Sequence, residues 1–369
     1  IFSRAGGALT KLTNPSTLPT GIVYAVAFSP DGSHLAVGHY SAPYLTIYSR
    51  SGNTFTKLPD PPGGPTASVK SVAFSPNGSH LAVGQASTPY LTIYSRSGDT
   101  LTKLNNPASL PKGVRDGLAF LPGTSKLLTV GGAFPYFEMY DNANGNIAHV
   151  NNPSTIPPGA VNGTATSPDG VYYAVVVAGA PSLVIYKRTG DTFAALPTPP
   201  GGPTAPVRSV AFSPNGSYLA VGYTSAPYLI AYKRVGNTFT KLGTPPFSGS
   251  GSPFGLSFSH DSIHLSVGVV AGTAAVQHSR RVGDEFTALA ATEIQLDAGC
   301  NDLSVYPIAS VLNPFAPLSG HVYDQNGNPI ARTVRAYRRD TGACVEDGGS
   351  DGTTGEYARS AYHTAKQYV

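Results

Sequence analysis

The sequence predicts an all-β fold, a seven-bladed β-propeller followed by a partial Ig-like or transthyretin-like β-sandwich. Three observations predict the propeller: a composition rich in turn residues, a repeat of 46 residues, and four short strand patterns in each repeat. The chain has 369 residues, of which 42 are glycine and 33 are proline, and only 12% are charged. This composition indicates many turns between short elements and disfavours a helix-rich fold.

The repeat recurs in nearly identical letters. VAFSPDGSHLAVG (26–38) returns as VAFSPNGSHLAVG (72–84) and as VAFSPNGSYLAVG (210–222). The turn prolines keep the same step of 46 residues at Pro30, Pro76, Pro122, Pro168 and Pro214. A period of 40 to 50 residues is typical of a propeller blade.

Each unit contains four strand patterns. SVAF and HLAVG are separated by SPDG or SPNG, which predicts a tight hairpin turn. The alternating pattern YLTIY, the turn SGNT or SGDT, and FTKL follow. A four-stranded meander buries little surface alone, so each unit must pack against its neighbours.

The two ends of the repeat predict the number of blades. IFSRAGGALTKL (1–12) lies one period before YSRSGNTFTKL (48–58), so the chain begins with the outer half of a blade. Six units follow, and NDLSVYP (301–307) with IASVL (308–312) matches the inner half after a slip of one residue. We therefore expect two half-blades to close a ring of seven blades over residues 1–312.

The pattern VxSVAFSPDGxxLAVG, followed by a strand that ends in an aromatic residue, resembles WD-repeat propellers over residues 1–306. The chain has no tryptophan and lacks the Gly-His and Trp-Asp pairs of that family. The position of the family's tryptophan is taken by Tyr48, Tyr94, Tyr140, Tyr186 and Tyr232, with His278 sixth. The resemblance implies the fold, and the eukaryotic scaffold role is not carried over.

A composition change separates a second domain. NPFAPLS (313–319) is a predicted linker, and residues 320–369 contain short strand patterns joined by QNGNP, DTG and DGTTG turns. GHVYDQNGNPIARTVRAYRRDTG resembles the carboxypeptidase-regulatory type of sandwich and C-terminal modules of tailed-bacteriophage virion proteins. About 50 residues are few for a sandwich, so we expect completion beyond Val369 or by another subunit.

Composition narrows the classes of function. The net charge of +4 is spread along the chain, which argues against nucleic-acid binding, and no apolar stretch predicts membrane insertion. Cys300 and Cys344 form neither a disulfide framework nor a metal quartet, and no cofactor is predicted. Six positions at the start of the first strands face the channel: Tyr24, Lys70, Asp116, Asn162, Arg208 and Phe254. They form no set of histidines or carboxylates, so no catalytic or metal-binding residue is assigned.

Two series of residues in the repeat register are candidates for binding. In four units a tyrosine follows the proline of the turn between the second and third strands: Tyr44, Tyr90, Tyr136 and Tyr228. These tyrosines either form a docking surface for sugar or protein or pack between blades, and we favour the packing interpretation. Arginines follow the third strand, on the opposite face: Arg4, Arg50, Arg96, Arg188, Arg234 and Arg280. These arginines either form a basic collar for an acidic partner or protect exposed strand edges by their charge, and we favour the second interpretation.

The expected function is that of a non-enzymatic structural and interaction protein at the surface of a tailed-phage virion, in a tail, a fibre or a decoration. Its expected partners are other virion subunits or copies of itself, together with a host-surface glycan or protein. The alternative is a secreted bacterial or archaeal surface propeller that binds glycan or protein. A propeller hydrolase or lactonase is a third alternative, disfavoured because the channel has no ligand set.

Overall fold

In a computed structural model, the described residues are 1–288 without 6–7, 144–145, 151, 153–155, 247–251, 260 and 271–273, together with the six later strands named below. The chain divides into two compact units, Ile1–Pro307 and Ile308–Val369. Among the described residues, no helix is long and apolar enough to cross a membrane.

The first unit consists mainly of six antiparallel sheets of consecutive strands. It opens with the hairpin β1 (Phe2–Ala5) and β2 (Ala8–Lys11). Blade 1 contains β3 (Val23–Phe28), β4 (His34–His39), β5 (Leu45–Ser51) and β6 (Thr54–Lys57). Blade 2 contains β7 (Val69–Phe74), β8 (His80–Gln85), β9 (Leu91–Ser97) and β10 (Thr100–Lys103). Blade 3 contains β11 (Arg115–Phe120), β12 (Lys126–Gly131), β13 (Phe137–Ala143) and β14 (Asn146–Val150).

The remaining blades repeat this order. Blade 4 contains β15 (Val161–Thr166), β16 (Tyr172–Val177), β17 (Leu183–Thr189) and β18 (Thr192–Ala195). Blade 5 contains β19 (Val207–Phe212), β20 (Tyr218–Tyr223), β21 (Leu229–Val235) and β22 (Thr238–Lys241). Blade 6 contains β23 (Ser252–Phe258), β24 (His264–Val270), β25 (Ala274–Val282) and β26 (Glu285–Ala288). β27 (Ile294–Leu296) pairs with the first residues of β25.

The SPDG sequence closes the first hairpin of a blade through two hydrogen bonds. The amide of Gly32 donates to the carbonyl of Ser29 at 2.8 Å, and the Ser29 hydroxyl accepts from the amide of His34 at 2.9 Å. Gly32 has a φ of 66°, a conformation that a residue without a Cβ adopts at no steric cost. The sequence prediction of a tight turn here is confirmed.

The hydrophobic core lies between neighbouring blades. Each of five clusters combines buried side chains of two consecutive blades, as where Ile185 of blade 4 meets Tyr232 and Phe239 of blade 5. A sixth cluster joins blade 1 to Ile1 and Leu12, which flank the N-terminal hairpin. A blade therefore gains most of its buried area from its neighbour, as expected for a repeat architecture.

The structure shows six blades, so the prediction of seven is wrong. The N-terminal hairpin forms a sheet of two strands, and no described strand adds to it. The strands proposed to complete it, in residues 301–312, lie outside the described residues. The prediction depended on a match at 301–307 that left the repeat register by one residue, where no SPDG turn follows.

The register already changes in blade 6, where the third strand is shifted by one residue along the second strand. Tyr232 pairs with Leu219 in blade 5, whereas Ser279 pairs with Leu265 in blade 6. The paired residues of the second strands are one period apart, so Ser279, and not His278, takes the sixth position of the tyrosine series. The prediction for His278 is therefore wrong.

The second unit contains two small sheets. β28 (Pro317–His321) pairs with β31 (Glu356–Ser360). β29 (Thr333–Arg338) pairs with β30 (Cys344–Gly349) and β32 (Gln367–Tyr368). β28 begins inside the predicted linker, and the Ig-like sandwich stays a prediction.

Candidate binding site in the central cavity

A β-bulge recurs at the start of every first strand. In blade 1, Val23 pairs with His39 and Ala25 pairs with Gly38, so Tyr24 is the extra residue, and the same shift occurs in blades 2 to 6. The extra residue of a bulge is unpaired, and bulges often redirect a side chain next to a site. The six extra residues, which we call the ring residues, are Tyr24, Lys70, Asp116, Asn162, Arg208 and Phe254.

The ring residues line one cavity of about 540 Å³ together with the following residues of all six first strands. This volume lies within the usual range for small-molecule sites. The structure therefore brings together the six residues that the sequence placed at the channel.

Each ring cation contacts the aromatic ring of the neighbouring blade. The Lys70 ammonium lies 3.4 Å from the centroid of the Tyr24 ring, and the Arg208 guanidinium carbon lies 5.7 Å from the centroid of Phe254. The ring face attracts the cation, so these contacts restrict where the two positive charges lie. Asn162 and Arg208 are exposed, and the other ring residues are half-buried.

Asp116 is the ring carboxylate. Burial raises its pKa, and the nearby charges of Lys70 and Arg115 oppose that rise. With both cations charged and Asp116 ionised, the ring has one excess positive charge.

The start of the first strands defines one face of the propeller, which we call the entry face. Because the strands of a blade are antiparallel, the turns between second and third strands and the connections between blades lie at this face. Four of the large apolar side chains that are exposed lie here, at Leu18, Ile22, Tyr40 and Phe134. Sequence reasoning missed Tyr40 and Phe134, because neither recurs with the repeat.

The predicted tyrosines lie at the entry face in the turns between the second and third strands. All four are half-buried and have positive φ values from 62° to 67°, which is unusual for a bulky residue: Tyr44, Tyr90, Tyr136 and Tyr228. Tyr44 packs against the core between blades 1 and 2, and Tyr136 packs against the core between blades 3 and 4. For these two residues the packing interpretation has direct support, while their use in binding stays a prediction.

The predicted arginines on the opposite face contact their own chain. Arg96 contacts the Asp31 carboxylate of the preceding blade at 3.0 Å, and Arg234 contacts Asp169 of its preceding blade at 3.1 Å. Arg50 and Arg188 each donate through Nε to the carbonyl two residues ahead, at 2.7 Å. The side chain of Arg4 lies outside the described residues.

In blade 6 the arginine position belongs to Arg281. Its amide donates to the carbonyl of Ile263 as the amide of Arg234 does to Ser217, and its guanidinium lies 4.1 Å from the centroid of Tyr218. Arg280 is exposed. Arg281, and not Arg280, is therefore the equivalent of Arg234 in blade 6, because the pairing of β25 is shifted by one residue, while a role of Arg280 in a basic collar stays a prediction.

Further polar contacts join the second strand of one blade to the next blade. His34 contacts Asp99 at 2.8 Å, and Tyr172 donates to Asn237 at 2.6 Å. His34 and His264, which each start a second strand, are buried. In the described part of the chain, no three His, Cys, Asp or Glu side chains form a possible metal site. Cys300 lies outside the described residues.

Comparison with known proteins agrees with this architecture. The WD domain, G-beta repeat family matches residues 12–42, 57–88 and 197–226. No curated protein matches the chain.

Several solved structures are similar. Kuenenia stuttgartiensis hydrazine synthase has a TM-score of 0.56 and 14% identity, with 72% of this chain and 79% of that chain covered. A protein from Lactobacillus plantarum has a TM-score of 0.62 and 14% identity, with 80% and 89% covered. Sqt1 from Chaetomium thermophilum has a TM-score of 0.53 and 20% identity, with 70% and 68% covered. At these identities the likeness concerns the fold alone: this chain is a β-propeller, and three segments of it match the WD domain, G-beta repeat model.

Proposed function

We propose that this chain is a non-enzymatic interaction protein that binds its partner through the entry face. The observation that carries the proposal is the difference between the two faces. The entry face combines the central cavity with exposed Tyr40 and Phe134, whereas Arg96 and Arg234 on the opposite face are paired within the chain.

The exposed aromatic side chains are held by neighbouring groups. Tyr40 is 57% exposed, its ring centroid lies 6.4 Å from that of Tyr24, and its amide donates to the carbonyl of Ile22 at 2.9 Å. Phe134 is 63% exposed and meets Tyr136 edge to face at 5.9 Å. Positioned aromatic rings offer a large contact area for little loss of conformational entropy. We include Tyr44, Tyr90, Tyr136 and Tyr228 in this face as supporting contacts.

The proposed setting is the surface of a tailed-phage particle, where the chain would join other virion subunits or copies of itself and bind a host glycan or protein. Only the resemblance of the C-terminal segment supports this setting, while a secreted surface propeller would use the same face. Immunogold labelling of phage particles and of culture medium from the source distinguishes the two: label on particles supports the virion setting, and label confined to the medium contradicts it.

An array of bacterial surface polysaccharides, probed with the fluorescent full chain, tests the binding face. Tyr40→Ser with Phe134→Ser removes two exposed aromatic rings of the entry face. The matched control is Val235→Ser with Val282→Ser, since these residues are 68% and 59% exposed at the ends of third strands, on the opposite face. We expect the first variant to lose array signal and the control to keep it. Equal signal from both variants, or no bound polysaccharide, would contradict glycan binding by this face.

A further inference from the structure

The six ring residues have an order that points to one class of ligand. Along the chain they run aromatic, cation, carboxylate, amide, cation, aromatic. Each cation contacts the aromatic ring at its own end of the series, and the Asp116 carboxylate and the Asn162 amide, both of which can accept hydrogen bonds from a ligand, lie between the cations along the chain. The cavity is therefore polar at its middle blades and positive on both flanks.

From this arrangement we propose that the central cavity binds a polyhydroxylated carboxylate, namely a uronic-acid unit of an acidic glycan. The proposal rests on the proposed function and names the ligand chemistry of its cavity. The ligand carboxylate is bound by Lys70 and Arg208, and its hydroxyl groups are bound by Asp116 and Asn162.

The two cations suit a carboxylate because they are positioned before a ligand arrives. Lys70 lies over Tyr24 and Arg208 lies over Phe254, so less side-chain entropy is lost on binding. A charge-assisted hydrogen bond from either cation is stronger than a neutral one. Both aromatic rings already hold a cation, so we assign the specificity for sugar to hydroxyl contacts and not to stacking.

The remaining polar groups favour hydroxyls over a second ligand charge. The positive charge of Lys70 acts on Asp116 and would repel a ligand ammonium group at that carboxylate. A carboxylate accepts hydrogen bonds, and the Asn162 amide both donates and accepts, which matches a row of sugar hydroxyls. A cavity of about 540 Å³ has room for a monosaccharide unit, and a polymer continues onto the entry face past Tyr40, which contacts Tyr24.

Isothermal titration of the full chain with sodium D-glucuronate tests the proposal, with D-glucose, acetate and L-glutamate as comparison ligands. We expect saturable glucuronate binding that weakens with added salt, and binding of each comparison ligand at least about tenfold weaker. Lys70→Gln and Arg208→Gln each weaken glucuronate binding about tenfold, the loss expected for one charge-assisted hydrogen bond. Lys103→Gln, which removes an exposed cation from the outer strand of blade 2, leaves binding unchanged.

The possible results separate this inference from the proposed function. Absence of saturable glucuronate binding overturns the inference, and so does equal binding of acetate or glutamate, because the cavity would then select an anion or an amino acid. Glucuronate binding that Lys70→Gln and Arg208→Gln leave unchanged also overturns it. The array with Tyr40→Ser and Phe134→Ser measures the exposed aromatic rings, so it remains interpretable if the titration fails.

Discussion

Replacing only one residue of the buried pair Arg115 and Glu138 should destabilise this propeller more than replacing both residues. Arg115 Nη1 lies 2.9 Å from Glu138 Oε2, and the side chains are 0% and 4% exposed. Removing one partner of such a pair leaves an uncompensated buried charge, at a cost of about 3–5 kcal/mol. Arg115→Val and Glu138→Val should each lower the free energy of unfolding by about that amount.

The double variant should lose much less stability, because another blade of the chain already has valine at both equivalent positions. Blade 4 has Val161 and Val184 at the equivalent positions, one period later. The Nη2 atom of Arg115 has no hydrogen-bond partner, so the pair is not fully satisfied in the parent chain. We expect the double variant to lie within about 2 kcal/mol of the parent, the remaining loss coming from the smaller volume of valine.

Urea unfolding followed by far-UV circular dichroism measures this thermodynamic cycle. The control is Thr92→Val, which changes the position equivalent to Glu138 in blade 2, where no buried arginine is present, and should shift stability by less than about 1 kcal/mol. Strict additivity of the two single losses in the double variant would refute the argument that the pair is held by mutual compensation.

Three further predictions concern the contacts between blades and the buried phenols. Arg281→Ala should cost about 1–2 kcal/mol in urea unfolding because its contacts with Tyr218 are lost, and Arg280→Ala less than about 0.5; equal losses would contradict the shifted register. Burial alone would raise the pKa of Asp31, but hydrogen bonds, including one from Arg96, hold it below the ordinary 3.8. The ionised Asp31 carboxylate thus stabilises the fold above pH 3.8, and this stabilisation is lost in strong acid. Asp31→Asn should therefore lower the free energy of unfolding by about 0.5–1 kcal/mol at pH 7 and not at all in strong acid, and a loss that is the same at every pH in urea titrations would contradict this. Burial raises the pKa of five tyrosines to about 12: Tyr48, Tyr94, Tyr173, Tyr186 and Tyr232. Their neutral phenols therefore contribute fully to stability below pH 10, and this contribution is lost as the pH rises through 12. Phenolate absorbance at about pH 11 should not include these five residues, and ionisation of all tyrosines in a still-folded chain at that pH would disprove the prediction.

The repeat predicted the blades well because four strands and their turns are encoded locally. Gly32 and its SPDG turn could be read from the letters, and a regular step of 46 residues carried that result to the other units. The blade number could not be read as safely, since closure depends on long-range pairing of residues whose sequences no longer match the repeat. The shift of β25 by one residue likewise makes Ser279 and Arg281, in place of His278 and Arg280, the equivalent positions in blade 6, and a fixed step of 46 residues does not detect such a shift.

The candidate site was only partly predictable. The repeat placed the six ring residues at the channel, but the bulge that leaves them unpaired is a feature of strand register and not of residue type. Tyr40 and Phe134 were missed because each occurs in one blade only. The arginine series was recognised, whereas its acceptors were not, because Asp31 and Arg96 are 65 residues apart and belong to different units.

The contacts between blades also constrain how the propeller can be shortened or extended. An arginine follows where the preceding blade offers an aspartate, as for Asp31 with Arg96 and Asp169 with Arg234. Excision of blade 2 alone would place Asp31 against Asn142, whereas excision of blades 2 to 4 would place it against Arg234 and restore the pairing. Duplication or deletion of repeats in the gene therefore preserves the ion pairs between blades only for certain numbers of repeats, and the positions of the aspartates and arginines determine those numbers.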